Sequence, residues 1–291
     1  MRDINYLEMG ATLYVPATHK HLFDVVIKKI YPNLKSVVIC LEDSVSNEEL
    51  EYAMTRLKEL LKIYHKSELF VFIRPRGIDN LNDILSLKGI KKIDGFVLPK
   101  ITINNLPIYL NNLAERDFHL MPTLETIDVF NFNNLTVIRN MLDPFKSKII
   151  TIRVGGEDIL NILHIRRTTD KTIYEYMPFN LIYSTIINTF KPYKYNISAP
   201  VFNGFKESEV LVRELKEDCA LGIFNKTIIN PSQIKIIHNS YGVSFSDFKI
   251  AKELVNTNKA IISYNGSMYE KSTHLNWAKN IIKREAIYGQ N

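Results

Sequence analysis

Two adjacent acids, Glu157 and Asp158, follow a pair of glycines at the end of a β-branched run, residues 149–154. Neighbouring carboxylates can bind a cation or transfer protons, and Gly155 and Gly156 would let the backbone approach a ligand closely. A second interpretation needs no ligand, because acids in the first turn of a helix offset the partial positive charge of its N-terminus. The residues that other elements place beside this pair must decide between the two.

Charged residues also stand at the ends of other apolar runs. Helix capping explains one or two acids of this kind, but not an arginine, a lysine and several acids together. The residues at these ends are Glu42 and Asp43, Arg74, Lys100, Glu125, and Asp158 itself.

Eight short apolar runs recur along the chain, and most are continuous rather than alternating, which is typical of strands buried on both faces of a parallel sheet. Longer amphipathic stretches separate them, so eight strand–helix units predict an α/β fold, a (β/α)8 TIM barrel. A doubly wound open sheet is the alternative, but no Gly-x-Gly-x-x-Gly follows the first run. The runs are residues 12–17, 36–41, 69–74, 94–99, 118–122, 149–154, 196–200 and 223–229.

The chain exceeds what eight such units require. We expect residues 1–240 to form the barrel and residues 241–291 to form a C-terminal helical extension, which packs on the barrel or on a neighbouring subunit. In barrels of this kind the chemistry lies where the strands end and the following loops begin. The charged residues described above should therefore meet at one end of the barrel.

Composition excludes several classes of function. The 291 residues carry a formal net charge of +6, but Lys and Arg are scattered, so no nucleic-acid partner is expected. The chain contains no run of 18 apolar residues, so no membrane span is expected. The two cysteines, Cys40 and Cys219, lie in apolar contexts and are interpreted as reduced core residues of a cytoplasmic protein.

Seven segments occur in the order LYVPATH, VVICLEDSV, VFIRPRG, GFVLPK, the segment around Glu125, GGEDIL and INPSQI. In this order they resemble the HpcH/HpaI aldolase and citrate lyase β-subunit-like family, from about residue 12 to residue 270. The THLNWAK segment near the C-terminus is similar to a divergent branch of carbon–carbon bond lyases associated with tellurite-resistance gene clusters.

The resemblance implies a TIM barrel that binds Mg²⁺, or Mn²⁺ in its place, and that cleaves or forms a carbon–carbon bond through a metal-bound 2-oxo acid or enolate. It implies a small 2-oxo acid or an acyl-CoA thioester as substrate, and a homotrimer or hexamer. Glu125 and Asp158 would hold the metal, and Arg74 would bind the substrate carboxylate and the developing enolate. The alternative for Arg74 is an ion pair with Glu42 or Asp43.

Several other residues are candidates for the same site. Glu42 and Asp43 either lie near the metal through water or simply begin the loop before the next helix. His19 is a weaker candidate for a substrate contact, and Arg166 and Arg167 either meet a phosphate or form a solvated helix end. The predicted catalytic set is Arg74, Glu42 and Asp43, and the predicted substrate-binding set is Arg74, Lys100, Gly155, Gly156, Glu157 and Pro200.

One departure from the family bears on the substrate. The family's C-terminal Asp-Gly-Lys-Met reads Asn265-Gly266-Ser267-Met268 here, and in thioester lyases of the family that Asp is linked to acid–base or nucleophilic work. An asparagine cannot take up a proton at neutral pH. We therefore favour an oxo acid or an unusual acyl substrate over citryl-CoA. A non-catalytic barrel that binds a small oxo acid or acts in a complex is the alternative, and a phosphoenolpyruvate-type enzyme is a third.

Overall fold

A curved parallel sheet of seven strands lies at the centre of the computed structural model, which describes residues 1–206 and 208–291. The strands lie in the order β6-β5-β4-β3-β2-β1-β7, so the first six strands lie side by side in chain order and β7 pairs with β1. The strands are β1 (Gly10–Pro16), β2 (Ser36–Cys40), β3 (Phe70–Arg74), β4 (Gly95–Leu98), β5 (His119–Leu124), β6 (Arg153–Val154) and β7 (Asn225–Ile228).

The seventh predicted strand, residues 196–200, closes the ring without forming a regular strand. Ser198 N–H donates to the carbonyl of Ile152 at 2.9 Å on the β6 side, and Ala199 N–H donates to the carbonyl of Asn225 at 2.7 Å on the β7 side. Parallel bridges join the same edges. The prediction of a regular strand here is wrong, because Pro200 lacks the N–H that would extend the ladder. The predicted closure of an α/β barrel is confirmed.

Alternate strand residues divide the core into two parts. Side chains that point outward pack under the helices in one large cluster. Side chains that point inward fill the amino-terminal half of the barrel with an apolar plug, which includes Met9, Val38, Phe72, Val97 and Met121. The carboxyl-terminal half above this plug is therefore the part that is open to polar side chains.

Eleven helices of the described residues complete the fold. The spacing of apolar residues explains their packing, as in α2, where Ala53, Leu57, Leu60 and Leu61 form one buried face. None of these helices combines the length and the apolar composition that crossing a membrane requires. The helices are α1 (Leu22–Val26), α2 (Leu50–Ile63), α3 (Ile78–Leu85), α4 (Leu106–Leu113), α5 (Phe132–Leu142), α6 (Gly156–Ile162), α7 (Met177–Phe190), α8 (Ser208–Ala220), α9 (Gln233–Tyr241), α10 (Phe245–Asn256) and α11 (Lys271–Tyr288).

The C-terminal segment forms two helices and an antiparallel hairpin, β8 (Ile261–Tyr264) and β9 (Ser267–Glu270), which the sequence reading did not include. Asn265 and Gly266, with φ values of 46° and 77°, form its two-residue turn, as expected for an Asn-Gly pair. Helices α10 and α11 share a small apolar cluster of their own with the hairpin, and α11 contacts the barrel, where Tyr288 donates to the carbonyl of Leu7. The division of the chain near residue 240 stays a prediction.

Candidate active site at the carboxyl end of the barrel

A cavity of about 500 Å³ opens at the carboxyl ends of the strands, where barrels of this class place their chemistry. Its volume lies in the range of small-molecule sites. The predicted residues that line it are Asp43, Arg74, Glu125, Gly155, Gly156, Glu157 and Asp158. His19 also lines the cavity, whereas the predicted residues Glu42, Lys100 and Pro200 do not.

Glu125 follows β5 and is 4% exposed. The backbone N–H of Lys100 donates to its Oε1 at 2.8 Å. A Cβ atom at Gly155 would lie 2.1 Å from Glu125 Oε2, so only glycine lets the β6–α6 turn pass this carboxylate. Burial and the neighbouring Asp158 carboxylate raise the pKa of Glu125 to about 8.

Asp158 lies in the first turn of α6, beside Glu125. Burial and the charge of Asp43 raise its pKa, although Lys100 Nζ lies 3.9 Å from Asp158 Oδ1 and opposes the shift. The helix-start interpretation and the ligand interpretation are therefore compatible, because the same helix turn presents the carboxylate to the cavity.

Lys100 links the acids of two loops. Its ammonium lies 2.8 Å from Glu42 Oε1 and 2.7 Å from Asp43 Oδ1. The contacts of Glu42 and Lys100 lower the pKa of Asp43 in spite of its partial burial, whereas burial raises the pKa of Glu42. Glu42 is buried and holds the two cations, Lys100 and Arg74, rather than facing the cavity.

Arg74 both lines the cavity and pairs with the acids. Its Nη1 lies 2.9 Å from Glu42 Oε2 and 3.6 Å from Asp43 Oδ2, so the ion-pair alternative describes a real contact. Its Nε and Nη2 donate to Cys40 Sγ at 3.2 and 3.1 Å. Cys40 is buried and reduced, and its sulfur also orients the arginine, a role the sequence reading did not include.

Arg153 is a cavity residue that sequence reasoning missed. Its side chain is buried in the barrel interior and donates to Thr227 Oγ1 on β7. The ring of Tyr14 on β1 lies 5.2 Å from its guanidinium and 5.1 Å from that of Arg74. The available signal was an arginine inside an apolar run that was predicted to be buried.

The other predicted residues have supporting positions. A Cβ at Gly156 would lie 2.5 Å from Ile173 Cδ1 and 3.0 Å from Pro200 Cβ, so Pro200 packs against the start of α6 while its neighbour Val201 lines the cavity. Glu157 Oε1 lies 3.8 Å from Arg167 Nη1.

Arg167 corrects one expectation. It was interpreted as part of a phosphate contact or of a solvated helix end, but its side chain is fully buried and forms an ion pair with Glu214. Glu214 and Asp218 each lie 2.9 Å from Lys226 Nζ, and all four side chains are buried. The buried ion pair between Arg167 and Glu214 therefore joins the segment between α6 and α7 to helix α8.

The C-terminal segment contributes no residue to the lining of the cavity in the described part of the chain. Asn265 lies at the exposed turn of the hairpin. Its left-handed backbone explains an asparagine at this place without reference to catalysis.

Two carboxylates, Glu125 and Asp158, form the candidate metal site. Within residues 1–206 and 208–291, no group of three or more His, Cys, Asp or Glu side chains is arranged to hold a metal. Mg²⁺ keeps several waters and is commonly held by one or two carboxylates together with substrate oxygens. Burial and then the charge of the half-buried Asp158 raise the pKa of Glu125, and a cation between the two carboxylates would offset that repulsion.

Several known lyases are similar to this chain. The chain is 27% identical over 272 residues to the citrate lyase subunit beta of Leuconostoc mesenteroides subsp. cremoris, covering 85% of this chain and 84% of that protein. It is 22% identical to the mitochondrial citramalyl-CoA lyase of Rattus norvegicus, covering 95% and 86% of the two chains. The crystal structure of CitE from Mycobacterium tuberculosis in complex with magnesium, acetoacetate and coenzyme A superimposes with a TM-score of 0.73 at 19% identity, covering 95% of this chain and 98% of that one.

The family model of C–C bond lyases of the TIM-barrel fold matches residues 3–290. This match confirms the resemblance, the barrel and the enzyme class that the sequence predicted. The chain therefore belongs to the C–C bond lyase family of the TIM-barrel fold.

Proposed function

We propose that the protein is a Mg²⁺-dependent carbon–carbon lyase that acts on a small 2-oxo acid, with Glu125 and Asp158 as the metal ligands. The observation that carries this proposal is the charge of the cavity wall. Glu42 and Asp43 are paired with the two cations Arg74 and Lys100, whereas Glu125 and Asp158 line the cavity as neighbouring carboxylates. In the described residues, the only cation within 4 Å of this pair is Lys100, whose Nζ lies 3.9 Å from Asp158 Oδ1. A divalent cation between Glu125 and Asp158 would offset the repulsion that helps to raise the pKa of Glu125.

The chain's own residues then have distinct tasks. Glu125 is fixed by the Lys100 N–H and by the closeness of Gly155, so a ligand carboxylate is oriented before the metal arrives. Bound Mg²⁺ would supply electrostatic stabilisation of the negative charge that develops on oxygen when the carbon–carbon bond breaks. Arg74, held by Cys40 and Glu42, presents a guanidinium to a substrate carboxylate.

The relatives favour this reading and widen the choice of substrate. The similar proteins are named citrate lyase subunit beta and citramalyl-CoA lyase, and the similar crystal structure holds magnesium and coenzyme A. A CoA thioester therefore remains an alternative substrate. The asparagine at position 265 favours the oxo acid, because an asparagine cannot take up a proton at neutral pH as the family's Asp would.

Calorimetric titration tests the proposal directly. Mg²⁺ or Mn²⁺ is titrated into the protein with and without pyruvate, glyoxylate or oxaloacetate. We expect metal binding that tightens with the oxo acid and that is lost in Glu125→Gln and in Asp158→Asn, while Asp128→Asn, a buried acid outside the cavity, keeps it. If the wild-type protein binds neither metal under these conditions, the lyase proposal is wrong.

A further inference from the structure

Arg153 is a buried cation that the proposed reaction does not yet use. It is 2% exposed and lines the floor of the cavity. Its Nη2 donates to the hydroxyl of Thr227, and its Nη1 lies 3.5 Å from the sulfur of Met121, a weak acceptor. In the described ranges, no carboxylate oxygen lies within 4 Å of its guanidinium nitrogens.

A buried guanidinium without a counter-ion is costly, because its charge has lost its water without gaining a partner. The two other arginines near the cavity show the usual solution. Arg74 lies 2.9 Å from Glu42, and Arg167 is paired with Glu214. Burial lowers the pKa of Arg153, in the direction expected for a cation that lacks such a partner. An anionic group of a ligand in the cavity would supply the partner that the described residues do not place within 4 Å.

The surroundings of Arg153 show from which side such an anion would arrive. The apolar plug, with Met121 at its top, fills the barrel below. Tyr14 lies beside the guanidinium and also contacts Arg74, with its ring centre 5.2 Å from Arg153 Cζ and 5.1 Å from Arg74 Cζ. The cavity above is the open side, and it leads to Glu125 and Asp158.

We propose that Arg153, oriented by Thr227, binds a second carboxylate of the substrate, so that the substrate is a 2-oxo acid with two carboxylates. This inference rests on the proposed function, in which the first carboxylate lies beside Arg74 and the metal ligands. Two separated cationic groups on one cavity wall select a ligand with two anionic ends. The planar guanidinium suits a carboxylate, since it can donate two parallel hydrogen bonds.

Matched pairs of ligands test this selection without changing the protein. Oxaloacetate and 2-oxobutyrate differ in a terminal carboxylate against a methyl group, as do 2-oxoglutarate and 2-oxopentanoate. Binding of each is measured by calorimetry at saturating Mg²⁺. We expect one of the diacids to bind about tenfold to a hundredfold more tightly than its monoacid partner, the range for a hydrogen bond to a charged group.

Variants then assign the difference to Arg153. In Arg153→Gln the preference for the diacid should disappear, while the affinity for the monoacid stays within about twofold because only the second carboxylate has lost a partner. Thr227→Ser, which keeps the hydroxyl, is the matched control and should keep the preference. Asp158→Asn should weaken the binding of both acids, since it removes a proposed metal ligand.

The outcomes separate this inference from the function on which it rests. If the wild-type protein binds monoacids and diacids equally with Mg²⁺, the role of Arg153 is overturned while the metal-dependent site stands. If no oxo acid binds with the metal, the proposed function fails, and the inference fails with it. If Arg153→Gln does not fold, as judged by circular dichroism, the wild-type ligand pairs alone decide.

Discussion

Metal binding at Glu125 should release a proton and should therefore strengthen as the pH rises. The pKa of this carboxyl is raised to about 8 in the metal-free protein, whereas a metal binds the ionised form. With that pKa, about one Glu125 in ten is ionised at pH 7 and about one in a hundred at pH 6. The apparent affinity for Mg²⁺ should thus fall about tenfold for each pH unit below 8.

Calorimetry at pH 6, 7 and 8, in buffers of different ionisation enthalpy, measures both the affinity and the protons released. We expect release of about 0.9 proton per metal at pH 7, the fraction of Glu125 that is still protonated. The exposed helix variant Glu51→Gln is the control and should leave both quantities unchanged. An affinity that is constant between pH 6 and 8 would refute the reasoning.

The same shift has an effect on stability with the opposite sign. Because the folded-state pKa of Glu125 lies above its unfolded value, its contribution to the free energy of unfolding is complete below about pH 4.5 and is lost as the pH rises towards 8. Thermal unfolding of the metal-free protein should show that Glu125→Gln stabilises it by a few kcal/mol at pH 8 and has little effect near pH 4.5. Equal melting temperatures of the two proteins at pH 8 would contradict the buried charge.

Three further predictions concern other parts of the molecule. Gly155→Ala places a Cβ 2.1 Å from Glu125 Oε2 and should weaken metal binding by at least about tenfold in calorimetry, because the ligand carboxylate must move. Lys226→Met leaves Glu214 and Asp218 without their shared cation and should lower the free energy of unfolding in urea by about 3–5 kcal/mol, without changing the apparent metal affinity of the folded protein. Light scattering should give the mass of a trimer or hexamer, and a monomer at working concentration would contradict the oligomer that the family resemblance implies.

Much of the cavity wall could be predicted because strand ends are marked in the sequence. A buried parallel strand is apolar throughout, so the first charged residue after it marks the carboxyl end of the barrel. Glu42, Arg74 and Glu125 are marked in this way, Asp158 is the second acid of the pair that follows β6, and the structure brings all four together. The pair of glycines was informative for the same reason, since Gly155 passes the Glu125 carboxylate at a distance that no other residue allows.

The other features of the site depend on contacts between residues that are distant in sequence. Composition and the spacing of apolar residues do not show such contacts. Cys40 reads as an ordinary core residue until the guanidinium of Arg74 is placed 3.1 Å from its sulfur. Arg153 reads as an exception inside an apolar run, because nothing local shows that its side chain reaches Thr227 on β7. Residues 196–200 have the composition of a strand, but they form only isolated bridges with the segments on either side. Pro200 has no N–H to extend this pairing into a regular ladder.

The two unmatched charges of the cavity lead to one last expectation about binding. The carboxylates around Glu125 and Asp158 leave an excess of negative charge, and Arg153 leaves a positive charge deeper in the same cavity. A divalent cation alone or an oxo diacid alone would balance only one of them, so each should tighten the binding of the other. Coupling between two ligands is reciprocal and typically about 5-fold to 150-fold. Mg²⁺ is therefore titrated with and without the diacid, and the diacid with and without Mg²⁺, after correction for the complex that the two form in solution. The two ratios must be equal, and a ratio of one would show that the charges act independently and that the cavity is not built for both ligands together.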